Sequence, residues 1–201
     1  SVMTAPLTQL YAGFIADWQE QAIPPASLAV VRLGFTDCLG VMLAGRHEEA
    51  VVRLAGFVQA QGGNPRSRLI TGGARTSAAQ AGLVNATAAH ALDYDDFAFS
   101  NHPSAVLVPV VLAAADACGA DGRRMAAAYL AGYEIWADLM LREKSSASAT
   151  EASVSGVMLA TMAEATVGTA ECSTCGLPAA STPVTCTIKG PVGSLVPRLM
   201  L

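Results

Sequence analysis

Apolar residues recur at intervals of three and four positions along the first 144 residues, which is the spacing of one face of an α-helix. Glycine and proline residues divide this pattern into six segments. The predicted helices run from Thr4 to before Pro24, from Pro25 to Gly45, from Glu48 to Gly62, from Ser77 to Leu92, from about Ser104, and from Asp121 to Lys144. No long alternating strand pattern is present, so we predict an all-α, multi-helix domain.

Three local features refine this prediction. The fourth helix is rich in alanine, and small side chains let helix backbones approach closely, so we expect it to be central. Asp121 is placed to cap the sixth helix, and Pro109 is expected either to kink the fifth helix or to lie in its first turns. Residues 66–75 are short and glycine-rich, which predicts an irregular or extended connection.

The composition changes after Lys144, where serine, threonine, alanine and glycine dominate. We therefore predict a helical domain over residues 1–144 and a divergent tail over residues 145–201. One helix, at about residues 152–167, is plausible in the tail. Residues 170–201 have few charges, several prolines and no convincing period, and cannot build a core alone.

Charge and hydropathy narrow the classes of protein. The chain is 52% hydrophobic and 14% charged, with a net charge of −4 and no basic cluster, which argues against nucleic-acid binding. The longest stretch without a polar residue, 105–115, is far shorter than the roughly 18 residues that span a bilayer. No signal-peptide pattern is present at the start. We expect a cytoplasmic protein that does not bind membranes.

The five cysteines do not form a convincing metal or redox motif. Cys38 and Cys118 lie in apolar helical patterns, which predicts buried thiols. Cys172 and Cys175 form a C-x-x-C, but only Cys186 could join them, whereas a structural zinc site needs four ligands.

The segment "HALDYDDFAFSNHPS" concentrates ionisable groups in a chain that mostly avoids them. Asp93, Asp95 and Asp96 follow the fourth helix, whose negative C-terminal end disfavours carboxylates. Mutual repulsion and burial would raise their pKa values towards the range useful for proton transfer. His102 precedes the fifth helix, whose positive N-terminal end favours an anionic ligand. A short loop therefore presents acids and a histidine together.

Structural explanations of the same residues remain open. Aspartates after a helix often bind their own backbone, and His-Pro before a helix is often a turn. His90 lies within the fourth helix, where a buried core histidine is the expected interpretation. Metal binding by Asp95, Asp96 and His102 is conceivable, although no i,i+4 pairing of histidine and carboxylate supports it.

The strings "ARTSAAQAGLVNATAAHALDYDD" and "HPSAVLVPVVLAAADACGADGRRMAAAYLAGYE" closely resemble the MmgE/PrpD family. The resemblance covers roughly residues 5–143. It implies a large helical domain, a smaller α/β lid domain, a homodimer, and chemistry on small di- or tricarboxylates without metal or organic cofactor. The family includes 2-methylcitrate dehydratase, cis-aconitate decarboxylase and iminodisuccinate epimerase.

Carried over by motif, Asp93 and His102 match active-site residues of the family and are the expected catalytic pair. Asp96 closes the shared D-x-D-D pattern. We expect Asp96, Asn101 and Ser104 to contact the substrate, and no residue to bind a metal.

Two departures from the family pattern limit this interpretation. Ser153 stands where the family carries a second histidine, and the family's lysines and lid domain have no counterpart here. Two hypotheses therefore remain. In the first, the chain is a lyase or isomerase, namely a dehydratase, decarboxylase or epimerase, with Asp93 and His102 in acid/base roles. Such an enzyme would be inactive as this chain if the lid domain is required. Alternatively, it is a non-catalytic helical fragment that serves dimerisation or binding.

Overall fold

A computed structural model describes residues 6–18, 22–98 and 101–145. Within these ranges the chain forms six α-helices and one two-stranded sheet. The helices are α1 (Leu7–Trp18), α2 (Pro25–Gly45), α3 (Glu49–Gln61), α4 (Ala78–His90), α5 (Pro103–Cys118) and α6 (Gly122–Ser145). The predicted helical fold is confirmed. Thr4 and the predicted tail, including the helix at about 152–167 and the C-x-x-C, lie outside the described residues.

Local capping explains several helix boundaries. Ser77 Oγ accepts the Gln80 backbone N–H at 3.4 Å at the start of α4, and Asp121 Oδ1 accepts the Arg124 N–H at 2.9 Å at the start of α6. Each bond satisfies a backbone donor that has no partner in the first helical turn. The predicted cap at Asp121 is confirmed, and Pro109 lies inside α5 beyond its first turn.

The fourth helix ends two residues earlier than predicted. It stops at His90, and the chain turns at Ala91 before reaching Asp93, whose φ of 53° lies in the left-handed region. The Asp93 backbone N–H still donates to the His90 carbonyl at 3.2 Å. The aspartates thus belong to the loop after α4 and not to its last turn.

The connection between α3 and α4 contains a small hairpin. Strands β1 (Ser67–Arg68) and β2 (Arg75–Thr76) pair antiparallel, with Ser67 opposite Thr76. Ser67 Oγ donates to the Ala113 carbonyl of α5 at 2.6 Å, which fixes the hairpin on the helical core. Residues 66–75 are therefore extended in part and well anchored.

Helices α4 and α5 form the centre of the domain and pack closely against each other, with α2, α3 and α6 around them. Fully buried side chains of α4 and α5 include Val84, Ala88, Leu107, Val108 and Val111, and Trp136 of α6 is buried as well. A Cβ atom at Gly45 of α2 would overlap the carbonyl oxygen of Ala88 in α4. The predicted close approach of helix backbones to α4 is therefore present, and at this contact it depends on Gly45 of α2.

Helix α1 is attached to α6 by polar contacts at both ends. The Tyr11 hydroxyl donates to Asp138 Oδ2 at 2.8 Å, and Trp18 Nε1 donates to the Ala127 carbonyl at 3.0 Å. Tyr11 and Trp18 also contribute to the buried core, so α1 closes one side of the domain.

Helix α2 is long and apolar enough to cross a membrane by length and composition alone, with 21 residues and a mean hydropathy of 1.6 in its most apolar window. It lies near the N-terminus, and 28% of that window is buried inside the domain. Val31, Cys38 and Met42 on one face pack into the core, as expected for a helix of a folded domain. The predicted burial of the Cys38 thiol is confirmed, whereas Cys118 is only partly buried.

Candidate active site

The candidate site lies where α4 ends and α5 begins. His90 is the last residue of α4, and His102 is the N-cap of α5. Because the two helices pack against each other, the loop between them brings these distant positions together. The imidazole ring centres of His90 and His102 are 4.6 Å apart.

The carboxylate of Asp95 lies between the two imidazoles. Its side chain is 1% exposed. One oxygen is 3.0 Å from His90 Nδ1, and the other is 3.1 Å from His102 Nδ1. Only the His90 contact has hydrogen-bond geometry, since the buried Nδ1 of His102 makes no hydrogen bond with any described residue. A buried carboxylate requires such partners, because burial penalises an unpaired charge.

The expectation that His90 is a core histidine is wrong. Its side chain is 52% exposed, because it stands at the end of α4 and turns towards the loop. Helical periodicity alone placed His90 on an apolar segment. The hydrogen bond between His90 and Asp95, which lies five residues further along the chain, depends on the conformation of the loop and not on the helix.

Asp93 joins the same cluster from the solvent side. His90, Asp93, Asp95 and His102 each offer one nitrogen or oxygen atom, and these four atoms lie within 4.8 Å of one another. The structure therefore brings the two predicted acid/base residues, Asp93 and His102, to one place. Asp93 is exposed, whereas His102 is partly buried, with 25% of its side chain exposed.

Asp96 points into the protein instead of into this cluster. Its carboxylate accepts the Ser104 backbone N–H at 3.0 Å and the Ser104 hydroxyl at 2.7 Å. Asp96 thus caps α5 from outside the helix. Burial raises the pKa of Asp96, and the hydrogen bonds from Ser104 oppose that shift.

A buried hydroxyl pair continues inward from Asp96. Ser104 Oγ lies 2.8 Å from the Tyr129 hydroxyl of α6, and the Cys38 thiol donates to the Ser104 carbonyl at 3.3 Å. Burial raises the pKa of the Cys38 thiol to about 12, so it remains a neutral packing group. This chain of contacts ties α2, α5 and α6 together at the edge of the site.

Asn101 holds the main chain beside His102. Its side-chain oxygen accepts the His102 backbone N–H at 3.0 Å. Asp96, Asn101 and Ser104, the three expected substrate contacts, therefore all have protein partners in this structure. Their contact with a substrate stays a prediction.

An open cleft of about 610 Å³ lies beside His90, between the start of α3 and the end of α4. Glu48 and Glu49 stand on its rim. Glu49 is paired with Arg53, so Glu48 is the carboxylate that disfavours an anionic ligand in this cleft and favours a cation. The cleft gives solvent a route to His90.

A family model describing the MmgE/PrpD N-terminal domain matches residues 9–170. The chain belongs to the MmgE/PrpD family. Members of this family are carboxylate-acting lyases. The match includes the whole α4–α5 site and continues beyond residue 143, across the position of Ser153. A comparison with curated proteins gave no significant match.

Proposed function

We propose that this protein acts as a lyase or isomerase on a small di- or tricarboxylate, by proton transfer beside a carboxylate. The observation that carries the proposal is the convergence of Asp93 and His102 at the α4–α5 junction in a member of a carboxylate-acting family. Their ligand atoms lie within 4.8 Å of each other, close enough to reach two positions of one small substrate.

The two side chains have different surroundings, which suits them to different roles. His102 is partly buried, with its Nδ1 facing Asp95, so its other ring nitrogen is the one that can meet a substrate. A neutral imidazole there can remove the proton next to a substrate carboxylate. Asp93, which is exposed, can act as the partner that holds or returns a proton.

The outcome of the reaction depends on which bonds break. Dehydration and epimerisation begin with removal of the proton next to the carboxylate, whereas decarboxylation begins with loss of CO₂. Loss of hydroxide, which departs as water once protonated, gives dehydration, and return of the proton to the opposite face gives epimerisation. Loss of CO₂ leaves an electron pair that a proton from the acid group must quench, which gives decarboxylation. The same acid/base pair serves all three, so Asp93 and His102 alone do not select among them.

The neighbouring residues support the pair by positioning it. Asn101 fixes the backbone of His102, and Asp96 with Ser104 fixes the first turn of α5. We propose that Asn101 lies next to the bound substrate. We also propose that Asp96 and Ser104 contribute to substrate binding mainly by holding the first turn of α5 in place.

The test is turnover of 2-methylcitrate, cis-aconitate and iminodisuccinate by the wild type, His102→Ala and Asp93→Asn. Removing one acid/base group is expected to lower the rate by about 10²–10⁴-fold. His47→Ala is the matched control, because His47 is exposed, contacts Arg46 and lies outside the cluster. Equal rates in the wild type and both site variants would disprove the assignment. An inert wild type would favour the non-catalytic alternative.

A further inference from the structure

We propose that His90, Asp93, Asp95 and His102 form a binding site for a divalent transition-metal ion of the Zn²⁺ type. The four residues contribute two imidazole nitrogens and two carboxylate oxygens from opposite ends of one loop. Imidazole and carboxylate are ligands that Zn²⁺ accepts, with four ligands in a closed site.

The spacing of the ligand atoms fits such an ion. Bonds of about 2.0–2.1 Å in a tetrahedron place the ligand atoms roughly 3.4 Å apart. Here all four atoms already lie within 4.8 Å of one another, and Asp95 is 3.0 and 3.1 Å from the two imidazoles. Small side-chain rotations, with no movement of either helix, would complete the coordination.

The Nδ1 atom of His102 supplies an independent observation. It is buried, faces Asp95 Oδ2 at 3.1 Å, and makes no hydrogen bond with any residue in the described ranges. A buried polar atom normally has a partner, and one without a partner needs an explanation. An ion between His102 and Asp95 would satisfy this nitrogen.

The electrostatic setting also favours a cation. The negative end of α4 points at the cluster, and Asp93 and Asp95 contribute two carboxylates to it. At the N-terminus of α5, the Ser104 N–H is paired with Asp96. The cleft beside His90, with Glu48 and Glu49 on its rim, gives the ion a route from solvent.

Metal binding and proton transfer exclude each other at these atoms. A coordinated His102 has no lone pair to act as a base, and a coordinated Asp93 cannot carry the proton. The metal-bound protein is therefore expected to lack the proposed activity. That consequence rests on the proposed function, whereas metal binding itself does not.

The experiment is direct titration of the full chain with Zn²⁺ by calorimetry, and with Co²⁺ by absorption spectroscopy. The proposal predicts one strong site per chain and visible d–d bands from nitrogen and oxygen ligands. His90→Ala is the main variant, and its fold is checked by circular dichroism because the substitution also removes the hydrogen-bond partner of the buried Asp95 carboxylate. Losing this ligand should weaken metal binding by more than the roughly 10–100-fold loss that is typical when a residue that only hydrogen-bonds a ligand is removed. Asp93→Asn is the second variant, because the exposed side chain of this loop residue is not needed for the core.

Two controls separate this site from other ligands in the chain. His47→Ala removes an exposed histidine outside the cluster and should leave binding unchanged. Cys172→Ser/Cys175→Ser removes the C-x-x-C, whose thiolates bind the same ions, and should also leave binding unchanged. The absence of a strong site in the wild type would overturn the proposal. Binding that survives in His90→Ala and Asp93→Asn, or that disappears in the cysteine variant, would overturn it as well.

Discussion

Arg68 and Asp116 join the β-hairpin to α5 through a charged contact. Asp116 accepts the Arg68 backbone N–H at 3.0 Å, and the guanidinium Nη2 lies 2.6 Å from Asp116 Oδ1. The side-chain hydrogen bonds from Arg68 lower the pKa of Asp116, against an opposing effect of burial. The ionised carboxylate is therefore the form that the folded state prefers.

This lowered pKa predicts how Asp116 affects stability as pH changes. A carboxyl group with a pKa below its unfolded value stabilises the fold above that unfolded value, about 3.9, and loses this contribution as pH falls through its folded pKa. Asp116→Asn should therefore lower the urea midpoint near neutral pH and have much less effect at about pH 2. Glu49→Gln is the control, because its ion pair with Arg53 is mostly exposed and should matter little. An equal decrease in the urea midpoint of Asp116→Asn at both pH values would contradict the prediction.

Ser104 gives a second prediction at this level, concerning its buried hydroxyl. Its Oγ lies between Asp96 and Tyr129, so Ser104→Ala leaves a carboxylate oxygen and a phenol without that partner. The expected loss in the free energy of unfolding is about 1–3 kcal/mol. Thr87→Ala is the control, because among the described residues the Thr87 side chain bonds only the Leu83 carbonyl of its own helix, so its loss should cost less than about 0.5 kcal/mol. Similar losses in both variants, measured by urea denaturation, would count against a structural role for Ser104.

Individual residues differ in how far the sequence predicts them. Asp121 acts through its own helix start, so its role followed from local spacing. The grouping of Asp93 with His102 followed from the short loop and the family motif together. The contact of His90 with Asp95 and the capping of α5 by Asp96 did not follow, because both depend on the path of the loop between two packed helices.

The close approach of α2 and α4 depends on a glycine. Gly45 is buried at the end of α2, and an added Cβ would overlap the Ala88 carbonyl of α4. Gly45→Ala should therefore destabilise the protein by about 1–3 kcal/mol, because two helix backbones must separate. Differential scanning calorimetry should show the lower melting temperature.

Gly40 provides a matched control on the same helix. A Cβ atom there meets nothing within 4 Å among the described residues. Gly40→Ala should stabilise the protein by about 0.4–1 kcal/mol, because alanine restricts the unfolded chain and favours the helix. Equal effects of the two substitutions would contradict a specific contact at Gly45.

The six helices were predictable because each is bounded by local signals. Glycine or proline closes or opens the segments at Pro24, Gly45, Gly62 and Gly119, and the apolar spacing between them is helical. The hairpin strands have two residues each, too short for an alternating pattern to be recognised. They are held by tertiary contacts, such as Asn85, whose side chain bonds the Arg68 carbonyl and the Ile70 N–H. Such contacts have no signal in the local sequence.

The exposed side of α2 is the feature of the domain that bears on assembly. Val30 is 51% exposed and Leu33 is 71% exposed with respect to the described residues, and Leu43, further along the same helix, is 48% exposed. Large exposed apolar patches favour association. We propose that this face contacts a second copy of the chain in the homodimer expected from the family resemblance.

Leu33→Asp tests this proposal, because it places a charge on the most exposed apolar residue of that face. Burying a leucine contributes about 1.5–3 kcal/mol, so its replacement by aspartate should weaken association by more than about 10-fold. Light scattering across a concentration series measures this change. Phe57→Asp is the matched control, because Phe57 is 59% exposed but lies on α3. Association that is insensitive to Leu33→Asp but weakened by Phe57→Asp would place the interface on α3, and a wild type that is monomeric at micromolar concentrations would refute self-association through either helix.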